Sequence, residues 1–251
     1  MEWTAAVDAG DWLRERLDEP WSGTMHDVVP RGFAAYARIP HRSQTPELPE
    51  GPGAELVAVV SGILTAYTTT PDDGFVALWE GTGALLGHMG EAPSRTFFQI
   101  GDSDDATLAH HNEMLGHALK DRFNNPYRKT TWQEGILSRE ISEGPRLELS
   151  GRGHVLFRGG VRELAVTDWV LHVPWRDRIA EEHGIDPSAQ SPSLIWPDDH
   201  AWVVVSEVDY DATIVGGSAE LIRALVDDER LEALPIREGA ALSWDADDVN
   251  R

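Results

Sequence analysis

The chain has 251 residues, no cysteine, and 43 acidic against 21 basic side chains, a formal net charge of −22 at pH 7. The missing thiols exclude a disulfide framework, a cysteine nucleophile and any zinc site built on thiolates, and the acidic balance weighs against nucleic acid or an anionic membrane as partner. With 41% hydrophobic residues there is material for an ordinary core, so one domain over residues 1–251 is expected.

Met1-Glu2-Trp3-Thr4 offers neither a basic nor an apolar region, so no signal peptide is expected. Asp8 to Leu17 reads as a short amphipathic helix, capped by Asp8, with Trp12, Leu13 and Leu17 on one stripe and Pro20 ending it. Ala34 to Ile39 reads as a strand stopped by Pro40, and the four prolines between 40 and 53 predict a surface loop. Over Ala54–Tyr67 the apolar residues Leu56, Val59, Val60, Ile63 and Leu64 recur at helical spacing. A turn at Thr70–Gly74 precedes an apolar strand, Phe75–Trp79.

Residues 88–135 are polar and irregular, an expected insertion with one helix near 106–122. Arg146–Ser150 and His154–Arg158 form a hairpin pattern joined through Gly151 and Gly153. Short helices near 161–168 and 175–183 precede a proline-rich connector at 187–197, a strand at Ala201–Asp209 and a helix at Ala219–Val226. These elements predict an α+β fold, a mixed, mainly antiparallel sheet with packed helices. Apolar runs fall far short of the ~20 residues of a membrane helix, so a cytoplasmic protein is expected.

Three constellations bear on chemistry. Along an Ala201–Asp209 strand, alternation would point Val203, Val205, Glu207, Asp209 and Asp211 one way. The three carboxylates suit a divalent cation, and Gly216, Gly217 and Ser218 just beyond them resemble a helix start able to hold an anion. The simpler reading is a strand end entering solvent, followed by a capped helix. Second, His110, Glu113 and His117 share one face of a helix and supply nitrogen and oxygen donors for a metal, although not in the His-Glu-x-x-His order of metalloproteases. Third, Glu80-Gly81-Thr82-Gly83 after the Phe75–Trp79 strand is a weak echo of a dinucleotide loop, and the short segment after it favours a plain strand-to-loop transition. No cofactor is expected.

Of the ten tryptophans, Trp79, Trp196 and Trp202 sit in strand-like contexts and read as core, whereas Trp12, Trp21, Trp169 and Trp175 stand among polar residues and suit a recognition surface as well as a core.

The segments Phe75–Gly81, Val155–Gly159, Trp196–Trp202, Glu207-Val208-Asp209 and Val215–Ser218 together resemble a family of uncharacterised proteins from high-GC Gram-positive bacteria. The resemblance spans about half the chain, skips most of 88–140, and implies a shared fold without an activity to transfer. Two functions follow from the residues: a non-catalytic binding or regulatory protein, immunity-like, meeting a basic protein partner; or a cation-assisted hydrolase or small-ligand enzyme using Glu207, Asp209 and Asp211 near Ser218. Whether the chain is an enzyme stays open at this point.

Overall fold

The computed structural model describes residues 1–18, 22–41, 52–82, 84–91, 95, 129–207 and 211–241. Its centre is a nine-stranded sheet in which all strand pairs are antiparallel, ordered β1 (Glu2–Trp3), β7 (Arg152–Arg158), β3 (Gly74–Trp79), β8 (Leu194–Pro197), β9 (Val203–Ser206), β10 (Ala212–Gly217), β2 (Ala35–Pro40) and β11 (Leu234–Ile236). β6 (Leu147–Leu149) completes it on the outer edge of β7, beside the first half of that strand, while β1 covers the second half. β4 (His88–Gly90) and β5 (Thr131–Gln133) form a separate ribbon within the segment expected to be irregular. The architecture is α+β.

Alternation along each strand divides the core in two. Val76, Leu78, Val155, Phe157, Val204 and Val215 face one side, under α2 (Ala54–Leu64) and the helix Ala219–Val226. Phe75, Ala77, Leu156, Trp196, Val203, Val205 and Ile214 face the other, covered by Leu13, Met25 and Val29 of the N-terminal segment and by Ala240. The central strands are apolar on both faces because both faces are covered.

Several elements differ from the sequence pattern, each for a physical reason. The helix expected over 8–17 is a 3-10 turn at Val7–Gly10 followed by one α turn, α1 (Asp11–Arg14). At Gly10 a Cβ would lie 2.5 Å from Leu147, so close packing sets the geometry there. The 161–168 helix is a 3-10 turn at Val161–Leu164. Arg139–Ser142 (α3) was not signalled, and the 175–183 helix is Arg178–Glu182 (α4), capped by Asp177, which accepts from the Ala180 N–H at 3.0 Å. The β6–β7 hairpin turns through Ser150 (φ 50°) and Gly151 (φ 76°), two successive left-handed residues of a type I′ turn.

Trp169 and Trp175 are fully buried, not a recognition surface; their indole N–H groups donate to the carbonyls of Ala54 (3.0 Å) and Gln190 (2.9 Å). Their polar sequence neighbours belong to short 3-10 and turn segments that face outward while the indoles fill the core. Trp196 and Trp202 are core residues as expected.

Candidate functional site

One end of the sheet gathers the side chains with chemical potential. There β3, β9 and β2 finish, and β7, β8 and β10 begin, as the pairings Trp79 with His154, Thr213 with Ser206, and Thr213 with Ile39 require. Successive residues of β9 point to opposite faces, so Ser206 and the next residue, Glu207, serve two different sites.

On the face covered by the N-terminal segment, Glu207 is 9% exposed and its carboxylate accepts from Arg152. The Arg152 guanidinium also lies 5.1 Å over the Trp79 ring, a cation–π contact that fixes its direction. His154 is close by: Glu207, His154, Ser150, Ser193, Val28, Leu149, Leu194 and Val205 line one small cavity. Burial, the largest influence, lowers the His154 pKa against opposing hydrogen bonds. Because the Leu147 carbonyl can only accept, the His154 Nδ1–H must donate to it, at 3.3 Å.

On the helical face, Ser206 Oγ and Thr213 Oγ1 are 2.5 Å apart, and Thr213 Oγ1 is 2.9 Å from His41 Nε2. Burial lowers the His41 pKa, with Asp211 opposing it. The neutral ring can therefore accept from Thr213, which in turn accepts from Ser206. Ser206 and Thr213 line a narrow cleft between α2 and the sheet, together with Leu56, Val57, Val60, Ser61, Ile195 and Val204 and two prolines.

The carboxylate trio does not form one strand face. β9 ends at Ser206 and the chain turns back to start β10 at Ala212, so Glu207 and Asp211 lie on opposite arms of a hairpin. Glu207 is buried and paired, Asp211 is exposed, and Asp209 lies outside the described residues. Gly216 and Gly217 are the last residues of β10 rather than a helix-start loop. A Cβ on Gly216 would sit 2.7 Å from Phe33 and 2.9 Å from Tyr36, and one on Gly217 would sit 2.6 Å from Leu221. Ser218 caps the next helix, α5 (Ala219–Val226), accepting from the Leu221 N–H at 3.1 Å. Each of the three thus has a local packing or capping role.

His110, Glu113 and His117 lie outside the described residues, and among the described residues no group of three or more histidine, aspartate or glutamate side chains is placed to hold a metal. Sequence reasoning missed His41, Ser61, Thr213 and the Arg152 partnership. His41 follows a proline in a stretch that reads as loop, and Thr213 looks like a turn residue until β10 is recognised. Comparison with protein-family models, curated proteins and solved structures finds no match.

Proposed function

We propose that the chain is a cytosolic, non-catalytic binding or regulatory protein whose acidic surface recognises a basic protein partner, in an immunity-like role. One observation carries this reading. Among the described residues, ten arginines are engaged in ion pairs, from Arg14 with Asp11 and Arg31 with Asp18 to Arg230 with Asp228. The excess that gives −22 is left without opposing charge on the molecule itself. Such a field accelerates encounter with a cationic surface and repels phosphate backbones. No described helix is long and apolar enough to cross a membrane. The geometry favours binding over cation-assisted hydrolysis because Glu207 already spends its carboxylate on Arg152.

The test is retention of a host protein on the immobilised chain at low ionic strength, followed by titration of the purified pair. A basic protein should be retained, and its association rate should fall steeply as salt screens the field. Retention of no basic protein, or an association rate indifferent to salt, would refute the reading.

A further inference from the structure

His26, in the 3-10 turn Met25–Asp27, is wholly buried and is bonded at both ring nitrogens. Nδ1 lies 2.8 Å from the Val29 carbonyl, which can only accept, so Nδ1 carries the proton. Nε2 lies 3.1 Å from the backbone N of Gly239, which can only donate, so Nε2 must offer its lone pair. In this arrangement the imidazole is neutral, with its tautomer fixed from both sides.

Gly239 stands at φ 77°, a left-handed position that glycine takes at little cost, in a turn closed by the Ala240 N–H on the Arg237 carbonyl at 3.1 Å. The turn follows directly on β11 and brings Ala240, 7% exposed, into the apolar cluster of Met25, Val29 and Tyr36. There the Met25 N–H donates to the Ala240 carbonyl at 2.8 Å. His26 and Met25 thus hold the turn Arg237–Ala240 onto the N-terminal cover of the sheet.

A proton on Nε2 would make that atom a donor facing the Gly239 N–H, and two donors cannot share the contact. A replacement acceptor is one residue away: Glu238 Oε1 lies 4.0 Å from Nε2, on a side chain that is half exposed. The Asp18 carboxylate, itself paired with Arg31, also attracts a charged imidazole. Tyr36, edge-on to the ring at 5.7 Å, is a phenol that burial keeps protonated. The Asp27 carboxylate is taken by the Ser22 and Gly23 backbone amides, and Arg237 is exposed.

We propose that His26 is a pH-sensitive latch on the turn Arg237–Ala240, closed while the imidazole is neutral and opened on protonation by exchanging the Gly239 N–H for the Glu238 carboxylate. The sheet is untouched by the exchange, because β11 stays paired with β2 and His26 keeps its bond to Val29. Opening lifts Ala240 from Met25 and uncovers part of the apolar surface beneath it. The latch does not depend on the acidic surface meeting a basic partner, and either proposal can fail alone.

Amide hydrogen exchange of the full chain, expressed as protection over each amide's unstructured rate, reads the latch at about pH 8 and about pH 5, on either side of the histidine range. Gly239 and Met25 should lose about tenfold in protection at the lower pH, the worth of one hydrogen bond, while the amides of β3 and β10 keep theirs. Nitrogen correlation spectra of the His26 ring should show only Nδ1 protonated at the higher pH and both nitrogens protonated at the lower. Replacing the buried His26 would confound the latch with the fold, so the variant is Glu238→Gln, an exposed change that keeps the side chain's length. It should move the loss of protection to lower pH by about half a unit, as suits a half-exposed carboxylate. Equal protection of Gly239 at both pH values, or loss only in step with β3 and β10, would overturn the proposal. So would an Nε2 already protonated at the higher pH, or a transition unmoved in Glu238→Gln.

Discussion

Glu207 and Arg152 meet where the carboxylate is 9% exposed and the guanidinium 24% exposed, so water screens the pair only in part. The indole of Trp79 beneath Arg152 limits how far the cation can follow solvent. Removing one partner of a mostly buried pair leaves the other charge without compensation, which costs about 3 kcal/mol, whereas replacing both with apolar groups of similar size costs far less. Arg152→Met is therefore expected to destabilise by about 3 kcal/mol, and Arg152→Met with Glu207→Leu to recover most of that loss. Urea unfolding of the two single variants and the double variant measures the coupling. Additive losses would mean that the two groups act independently and that the pair does not hold this end of the sheet together.

At the scale of elements, the β9–β10 hairpin separates what the sequence makes legible from what it conceals. The helix Ala219–Val226 is readable to the residue, because Leu221, Ile222 and Leu225 mark a single buried stripe and Ser218 marks its start. β3 is readable because five of its six residues are apolar and a turn precedes it. β10 is hidden because Gly216 and Gly217 are breakers in any local scale, and only tertiary packing explains them: Gly216 pairs with Tyr36, whose ring occupies the space a side chain would need. With β10 hidden, β9 reads as longer than it is and aligns Glu207 with Asp211, which stand on opposite arms of the hairpin. α2 is so apolar that its period identifies the helix but not its buried face, and Ser61 went unnoticed on that face. β1 and β11 are short edge strands with no pattern of their own, and exist because β7 and β2 offer free edges. Gly216→Val is expected to cost about 2 kcal/mol by forcing Phe33 and Tyr36 apart, read as a lower urea midpoint with an unchanged slope. Wild-type stability in this variant would contradict the packing role and return Gly216 to the list of ligand contacts.

For the molecule as a whole, charge and burial divide the acid response into two ranges. Burial holds His41 and His154 below the usual histidine value of 6.5; burial and then the Arg16 guanidinium do the same to His200. These imidazoles take up protons more readily in the unfolded chain, so the unfolded state binds more protons below 6.5 and stability falls as the pH falls. The carboxylates act lower. Hydrogen bonds from Arg31 and Arg176 hold Asp18 and Glu181 below their usual 3.8 and 4.5, and Arg230 pulls Asp228 down to about 2. What they contribute is complete above 4.5 and is lost as pH drops through the folded values. Protonating the many exposed carboxylates also relieves the self-repulsion of a −22 molecule in that lower range. The two effects oppose each other there, so the histidine range is the one with an unmixed sign. From about pH 7 down to about pH 5 the urea midpoint should decline steadily, and His41→Gln combined with His154→Gln should flatten that decline, because a neutral amide in each buried position takes up no proton in either state. A midpoint that holds level until the carboxylates titrate, or a decline of undiminished slope in the double variant, would show that the buried imidazoles do not govern stability above the carboxylate range.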